Sequence, residues 1–376
     1  MRRRFPALLV LAVLAASCGR SAEPGAPSPT PAPPSPTTSV APAPAYDPTA
    51  IASRTPLGDG AVQAVLPASD GSTTVLVTGD LPGDETGCEG MPLQGLLSIG
   101  ASGDASPVLA ADGTPVSDGV RIALPPVPGV DHPVALASTC ESFTSRILLG
   151  IVGHGGVPTD LVPIGGLGAP DGAPSFETLF DLSFTPDGST LLAVIGPYVP
   201  VGEGGTPSSN LWAYDVATGV WTQRTEAQPG LIAAAAFGTN GLAQIVDDAI
   251  LYGGHAFAAE GATRIVVAPD GETMAFAGGS GLQVVTPDGN IRTLDESSIG
   301  FVGFLPDGSG IVYARVSGND VTLVVTDLAT GVASDLGTSA WGWFAVAPDG
   351  SGLAVTVDGA EFGMPAAEFW SFPPAS

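Results

Sequence analysis

A short turn recurs along this chain and constrains its fold more than any other feature. Pro-Asp-Gly stands at Pro186-Asp187-Gly188, Pro269-Asp270-Gly271, Pro306-Asp307-Gly308 and Pro348-Asp349-Gly350. Each copy lies between two short runs read as alternating strands, as in Leu182–Val194, Ile265–Phe276, Val302–Tyr313 and Phe344–Val355. Local chemistry specifies the hairpin. Proline presets φ near −65°, aspartate bonds back to its own backbone, and glycine takes positive φ at no steric cost. Val65 to Val77 reads as a degraded fifth copy around Asp70-Gly71, and Thr239-Asn240-Gly241 marks a further turn of the same kind.

A second repeated piece follows the first. Leu211–Gly219 (LWAYDVATG) and Leu323–Gly331 (LVVTDLATG) are near-copies, and Leu282–Gly289 occupies the same slot in its unit. One unit therefore reads strand, Pro-Asp-Gly, strand, loop, strand, Thr-Gly, strand. Four antiparallel strands per unit make a propeller blade. Asp270, Asp307 and Asp349 are 37 and 42 residues apart, and Asp187 to Asp270 is 83, two blade lengths. Residues 50–376 hold about eight units of ~42, which long insertions reduce. The expectation is an all-β fold: a single β-propeller of seven four-stranded blades, with six or eight open and the mode of closure unspecified. Residues 100–175 enter it by elimination. These units resemble the WD40-like repeats of the TolB family, which implies a propeller and is specific for fold rather than activity.

The first fifty residues read as an address. Met1–Arg4 is basic and Phe5–Ser17 apolar, too short to span a membrane, which takes ~20 apolar residues, and so an export signal. Its end, Leu14-Ala15-Ala16-Ser17-Cys18, resembles a bacterial lipoprotein signal. The resemblance implies that Cys18 becomes the acylated, palmitate-bearing first residue. The alternative is ordinary cleavage near Ser17, leaving Cys18 a thiol. Residues 18–49, proline-rich throughout, cannot build a core and read as an extended tether. The domains expected are thus a signal peptide (1–17), a lipid-anchored linker (18–49) and the propeller (50–376). That places the body outside the cell membrane, tied to it by lipid.

Charge narrows the function. The chain of 376 residues carries 37 Asp+Glu against 11 Lys+Arg, for −26. All eleven cations are arginine, and removal of Arg2, Arg3 and Arg4 with the signal gives −26 − 3 = −29. Beyond the N-terminal Arg2–Arg4 every basic residue is a lone arginine, so no cluster is left to meet nucleic-acid phosphates, and the absence of lysine removes Schiff-base and P-loop chemistry. His132, His154 and His255 are scattered, and no nucleophile elbow or dinucleotide fingerprint occurs. No cofactor, metal site or catalytic set is expected.

Two cysteines remain besides Cys18. In an exported protein Cys88 and Cys140 are expected to pair. Their loop of 140 − 88 + 1 = 53 residues corresponds to ~4 kcal/mol in the chain-entropy account. In a propeller the tight turns share one face and the longer loops the other. The segments 80–94, 196–209 and 358–367 should open together on the latter as an acidic rim, with Tyr198 and Phe362 as apolar points. Trp341 and Trp343, entering the last blade, are candidates for the channel mouth, the alternative being packing between first and last blades. The function expected is a monomeric, non-catalytic binding or scaffolding module for an envelope protein, peptide or glycan. The alternative is a propeller hydrolase, lyase or dehydrogenase with its site in the central channel.

Overall fold

The structure, a computed structural model, describes residues 46–375 except 68–72, 82–93, 101–102, 117–120, 126–132, 139–145, 153–155, 165–176, 198–208, 225–231, 240, 247–248, 253–254, 260, 287–288 and 360–363. Its strands form seven four-stranded antiparallel sheets, the blades of a β-propeller. The N-terminal strand β1 (Ser53–Asp59) comes first and is set apart from its sequence neighbours. Blade one is then β2 (Ala61–Pro67), β3 (Thr73–Asp80), β4 (Gln94–Ile99) and β5 (Ala105–Pro107). Blade two is β6 (Arg121–Ala123), β7 (Pro133–Ser138), β8 (Arg146–Val152) and β9 (Pro158–Pro163). Blade three is β10 (Glu177–Phe184), β11 (Thr190–Pro197), β12 (Asn210–Asp215) and β13 (Val220–Gln223). Blade four is β14 (Ile232–Gly238), β15 (Gly241–Val246), β16 (Ala249–Tyr252) and β17 (His255–Ala258). Blade five is β18 (Ala262–Val267), β19 (Met274–Gly278), β20 (Gly281–Val285) and β21 (Ile291–Asp295). Blade six is β22 (Ser298–Phe304), β23 (Gly310–Ser317), β24 (Asp320–Asp327) and β25 (Ala333–Ser339). Blade seven is β26 (Phe344–Val346), β27 (Gly352–Asp358) and β28 (Pro365–Ser371), completed on the outside by β1.

Each of the four Pro-Asp-Gly turns at Asp187, Asp270, Asp307 and Asp349 joins an innermost strand to the second strand of its blade. At Asp187 the carboxylate accepts from Thr185 Oγ1 (2.7 Å), Ser189 N (3.0 Å) and Ser189 Oγ (2.8 Å), while Gly188 N donates to Thr185 O (2.8 Å). Asp307 and Asp349 bond Ser309 N and Ser351 N in the same way. β14 ends at Gly238 and β15 begins at Gly241, so these strands meet in the slot between the copies at 187 and 270, and Asn240 lies outside the described residues.

One feature differs from the alternating pattern read in the second strands. Leu191 to Ile195 of β11 are all buried, as are Gly352 to Thr356 of β27. The side chains alternate in direction, but both faces meet a neighbouring blade. Leu191, Ala193 and Ile195 pack toward blade two, and Leu192 and Val194 toward blade four. Seven apolar clusters result, one at each interface between adjacent blades. The core is therefore a ring of seams around an open axis. Between blades five and six a polar clasp adds to the seam. Asp295 accepts from Arg315 Nε (2.8 Å) and from the buried Tyr313 hydroxyl (3.0 Å).

Closure of the ring is made by the two ends of the chain. β1 pairs antiparallel with β28, from Ser53 opposite Ser371 to Asp59 opposite Ala366. Ahead of it Tyr46 bridges Pro374, and Asp47 N donates to Pro373 O at 2.8 Å.

Candidate functional site

The innermost strands of all seven blades line a channel of about 1410 Å³. Five of them, β2, β10, β14, β18 and β22, carry a register shift in the half where the strand begins. A bulge leaves backbone groups without ladder partners and re-aims the side chains beside it. Here side chains of one blade reach the innermost strand of the next, at its bulge or just beyond it. Arg121 Nη1 of β6 donates to Phe180 O of β10. Asp181 Oδ2 of β10 accepts from Ala235 N of β14 (3.0 Å), and Ser183 Oγ donates to Ala235 O (2.7 Å). Arg264 Nε of β18 donates to Gly300 O of β22 (2.7 Å). Val62 N of β2 donates to Thr356 Oγ1 of blade seven at 2.9 Å. The channel's polar residues are thus also rivets between blades.

Arg264, Phe301 and Trp343 make a continuous wall across blades five, six and seven. The Arg264 guanidinium lies 4.0 Å over the Phe301 ring, and the Phe301 and Trp343 rings meet edge-on at 5.8 Å. Arg121 and Asp181 belong to blades two and three. Among the described residues, Arg121, Asp181 and Arg264 are the ionisable groups of the lining below the rim; Asp59 and Asp80, both exposed, add negative charge at the end where the inner strands begin.

Asp181 and Arg264 are perturbed by their surroundings without close ion pairing among the described residues. Asp181 lies deep in the ring, with part of its surface toward the channel. Burial raises its pKa above the ordinary carboxylate value, against the hydrogen bonds from Ala235 N and Leu182 N and the attraction of Arg121 and Arg264. Burial lowers the pKa of Arg264, the like charge of Arg121 lowers it further, and Asp181 opposes both. Two guanidinium groups therefore feel each other's repulsion across the channel.

Trp341 and Trp343 enter the channel wall from the loop between β25 and β26. Gly342 between them has φ +70°, and a Cβ there would come within 2.9 Å of the Ala314 Cβ, so the turn requires glycine. Thr356 N donates to Trp343 O at 2.9 Å and pins the loop. Trp343 packs on blade six, whereas Trp341 is 55% exposed. Tyr198, Phe362, Cys18, Cys88, Cys140, His132 and His154 lie outside the described residues, and His255 is in β17, the outermost strand of blade four. Among the described residues no three His, Cys, Asp or Glu are grouped to hold a metal, and no helix is long and apolar enough to cross a membrane. Arg121, Arg264 and Phe301 were not legible as a site. Each is isolated in sequence, and only the ring gathers them.

No family model matches the chain, and no curated protein matches it. Among solved structures it is similar to an oligogalacturonate lyase from Vibrio parahaemolyticus. The TM-score is 0.54 at 13% identity, over 87% of this chain and 96% of that one. The structure described as the Dos1 propeller gives 0.52 at 12% identity, over 88% and 98%. TolB from Acinetobacter baumannii gives 0.43 at 18% identity over 75% of this chain, which spans 64% of that protein's length. At such identities the likeness is one of fold, a propeller of the kind that the Pro-Asp-Gly repeats imply.

Proposed function

We propose that this chain is an exported lipoprotein whose propeller is a non-catalytic binding module, facing a protein, peptide or glycan of the cell envelope. In this reading Cys18 carries the lipid, residues 18–49 hold the body away from the membrane, and a Cys88–Cys140 disulfide staples the first two blades. The protein works as a monomer. Tyr198, Trp341, Trp343 and Phe362 belong to the binding face. The observation that carries it is the channel wall. It offers cationic and aromatic surface, while among the described residues below the rim a single carboxylate, Asp181, stands without a second acid or base beside it. General acid–base work needs a positioned partner within hydrogen-bond reach of the reacting group, and a recognition surface does not.

The second reading, a propeller enzyme, draws on the raised pKa of Asp181 in a concave site. The fold shared with an oligogalacturonate lyase makes sugar acids reasonable substrates to try. One experiment separates the two. The full chain is produced in a bacterial host beside Cys18→Ala, and palmitate labelling and membrane association are scored. The purified protein is then applied to glycan and peptide arrays, and each captured ligand is followed for turnover. Capture without turnover, with labelling lost in Cys18→Ala, is the expected result. Turnover abolished by Asp181→Asn would overturn the non-catalytic reading.

A further inference from the structure

We infer that the channel holds a site for a single carboxylate, carried at the end of a small ligand with an otherwise uncharged, apolar or aromatic body. This rests on the binding-module reading and names the ligand chemistry for the same site. Two of the chain's eleven arginines, Arg121 and Arg264, stand in one channel of a protein with net charge −26. Among the described residues each donates one N–H to a backbone carbonyl of the next blade, Arg121 to Phe180 O and Arg264 to Gly300 O. Neither has a carboxylate within ion-pair distance among the described residues. A guanidinium has five N–H donors, so each retains donors beyond its rivet. Asp181 offsets one of the two charges, leaving one net positive charge among the described residues of the walls below the rim.

Where the anion belongs follows from the same geometry. A carboxylate accepts two parallel N–H bonds from a guanidinium, a strong and directional pairing. One placed beside Arg264 would relieve its repulsion with Arg121. The Arg264 guanidinium is already held in place by the Phe301 ring and Gly300 O, so little side-chain freedom is lost on binding. Phe301 and Trp343 supply the surface next to it for a flat or apolar body. Charge count decides against a polyanion. One net positive charge on the described walls matches one carboxylate, while Asp59 and Asp80 at the rim and the chain's net charge of −26 repel further negative charge.

The test uses the full chain and titration calorimetry with phenylacetate, its neutral analogue phenylacetamide, and polygalacturonate as a polyanion. Phenylacetate should bind at least about tenfold more tightly than the amide, a difference of ~1.4 kcal/mol. That preference should vanish in Arg264→Gln and shrink in Arg121→Gln. Glutamine can still donate to Gly300 O, and thermal melting checks both variants. Equal binding of acid and amide, or a preference that survives both substitutions in folded protein, overturns the inference. So does tighter binding of polygalacturonate than of phenylacetate. Failure here leaves the binding-module reading to its own arrays. Turnover of an array ligand would remove that reading and leave the anion site in place.

Discussion

Asp181 shows how one residue serves both the ring and the channel. Its carboxylate ties down the innermost strand of the next blade through Ala235 N and carries negative charge where burial disfavours it. A carboxyl whose folded pKa is raised binds protons more readily folded than unfolded. Stability therefore falls as pH rises from the ordinary carboxylate value through the folded one. Asp181→Asn retains an oxygen to accept from Ala235 N and carries no charge. We expect it to raise Tm by a few degrees at pH 7 and to leave Tm nearly unchanged at pH 3.5. Calorimetric scans at both pH values check this, and a lower Tm at pH 7 would mean that attraction to Arg121 and Arg264 outweighs burial. Asp181 was visible in the sequence only as a charge on a strand otherwise apolar beside its turn. Its partner Ala235 carries no side-chain signal, because the bond is made by backbone.

The hairpin is the element that the sequence spells out. Its aspartates, prolines and glycines act within a few residues of one another, so their effect survives without knowledge of the fold. Tertiary packing adds a second demand on the same glycines. Gly271 has φ +71°, and a Cβ there would meet Thr239 Cγ2 at 3.2 Å and Pro186 Cγ at 3.3 Å, both from other blades. Gly289 has φ +78° with open space around it. Left-handed backbone costs a residue with a Cβ about 1–2 kcal/mol. Both Gly→Ala variants should lose that much in denaturant melts, and Gly271→Ala should lose more. Equal losses would show that the blades give way freely at that contact. The innermost strands were harder to read: a bulge is one extra residue in a strand and leaves no mark in composition. β6 and β26, three residues each, are too short to announce themselves.

At the scale of the molecule, the ring depends on a strand that the sequence did not mark as one. β1 is SRTPLGD, mostly exposed and interrupted by Pro56, and nothing in its pattern points to a partner more than three hundred residues away. Without it β28 is an open edge and the ends of the chain are not joined. A chain beginning at Ala61 should therefore lose its single cooperative thermal transition and associate at micromolar concentration, whereas one beginning at Tyr46 should melt as the full protein does. Size-exclusion chromatography and calorimetry read both. A monomeric, cooperatively melting chain from Ala61 would show that the apolar seams alone hold the ring.

The repeat alone determined the propeller, because turn chemistry is local and four-stranded units at a period near forty have few other ways to bury two apolar faces. It also placed Trp341 and Trp343 ahead of the last blade, from their position before the final Pro-Asp-Gly. The tertiary structure decided the blade number within the range left open, the closure through β1, and the meeting of Arg121, Asp181, Arg264 and Phe301. The reason is separation: turns are made by neighbours in sequence, whereas the channel takes one side chain from each of several strands, and no single strand records what the others contribute.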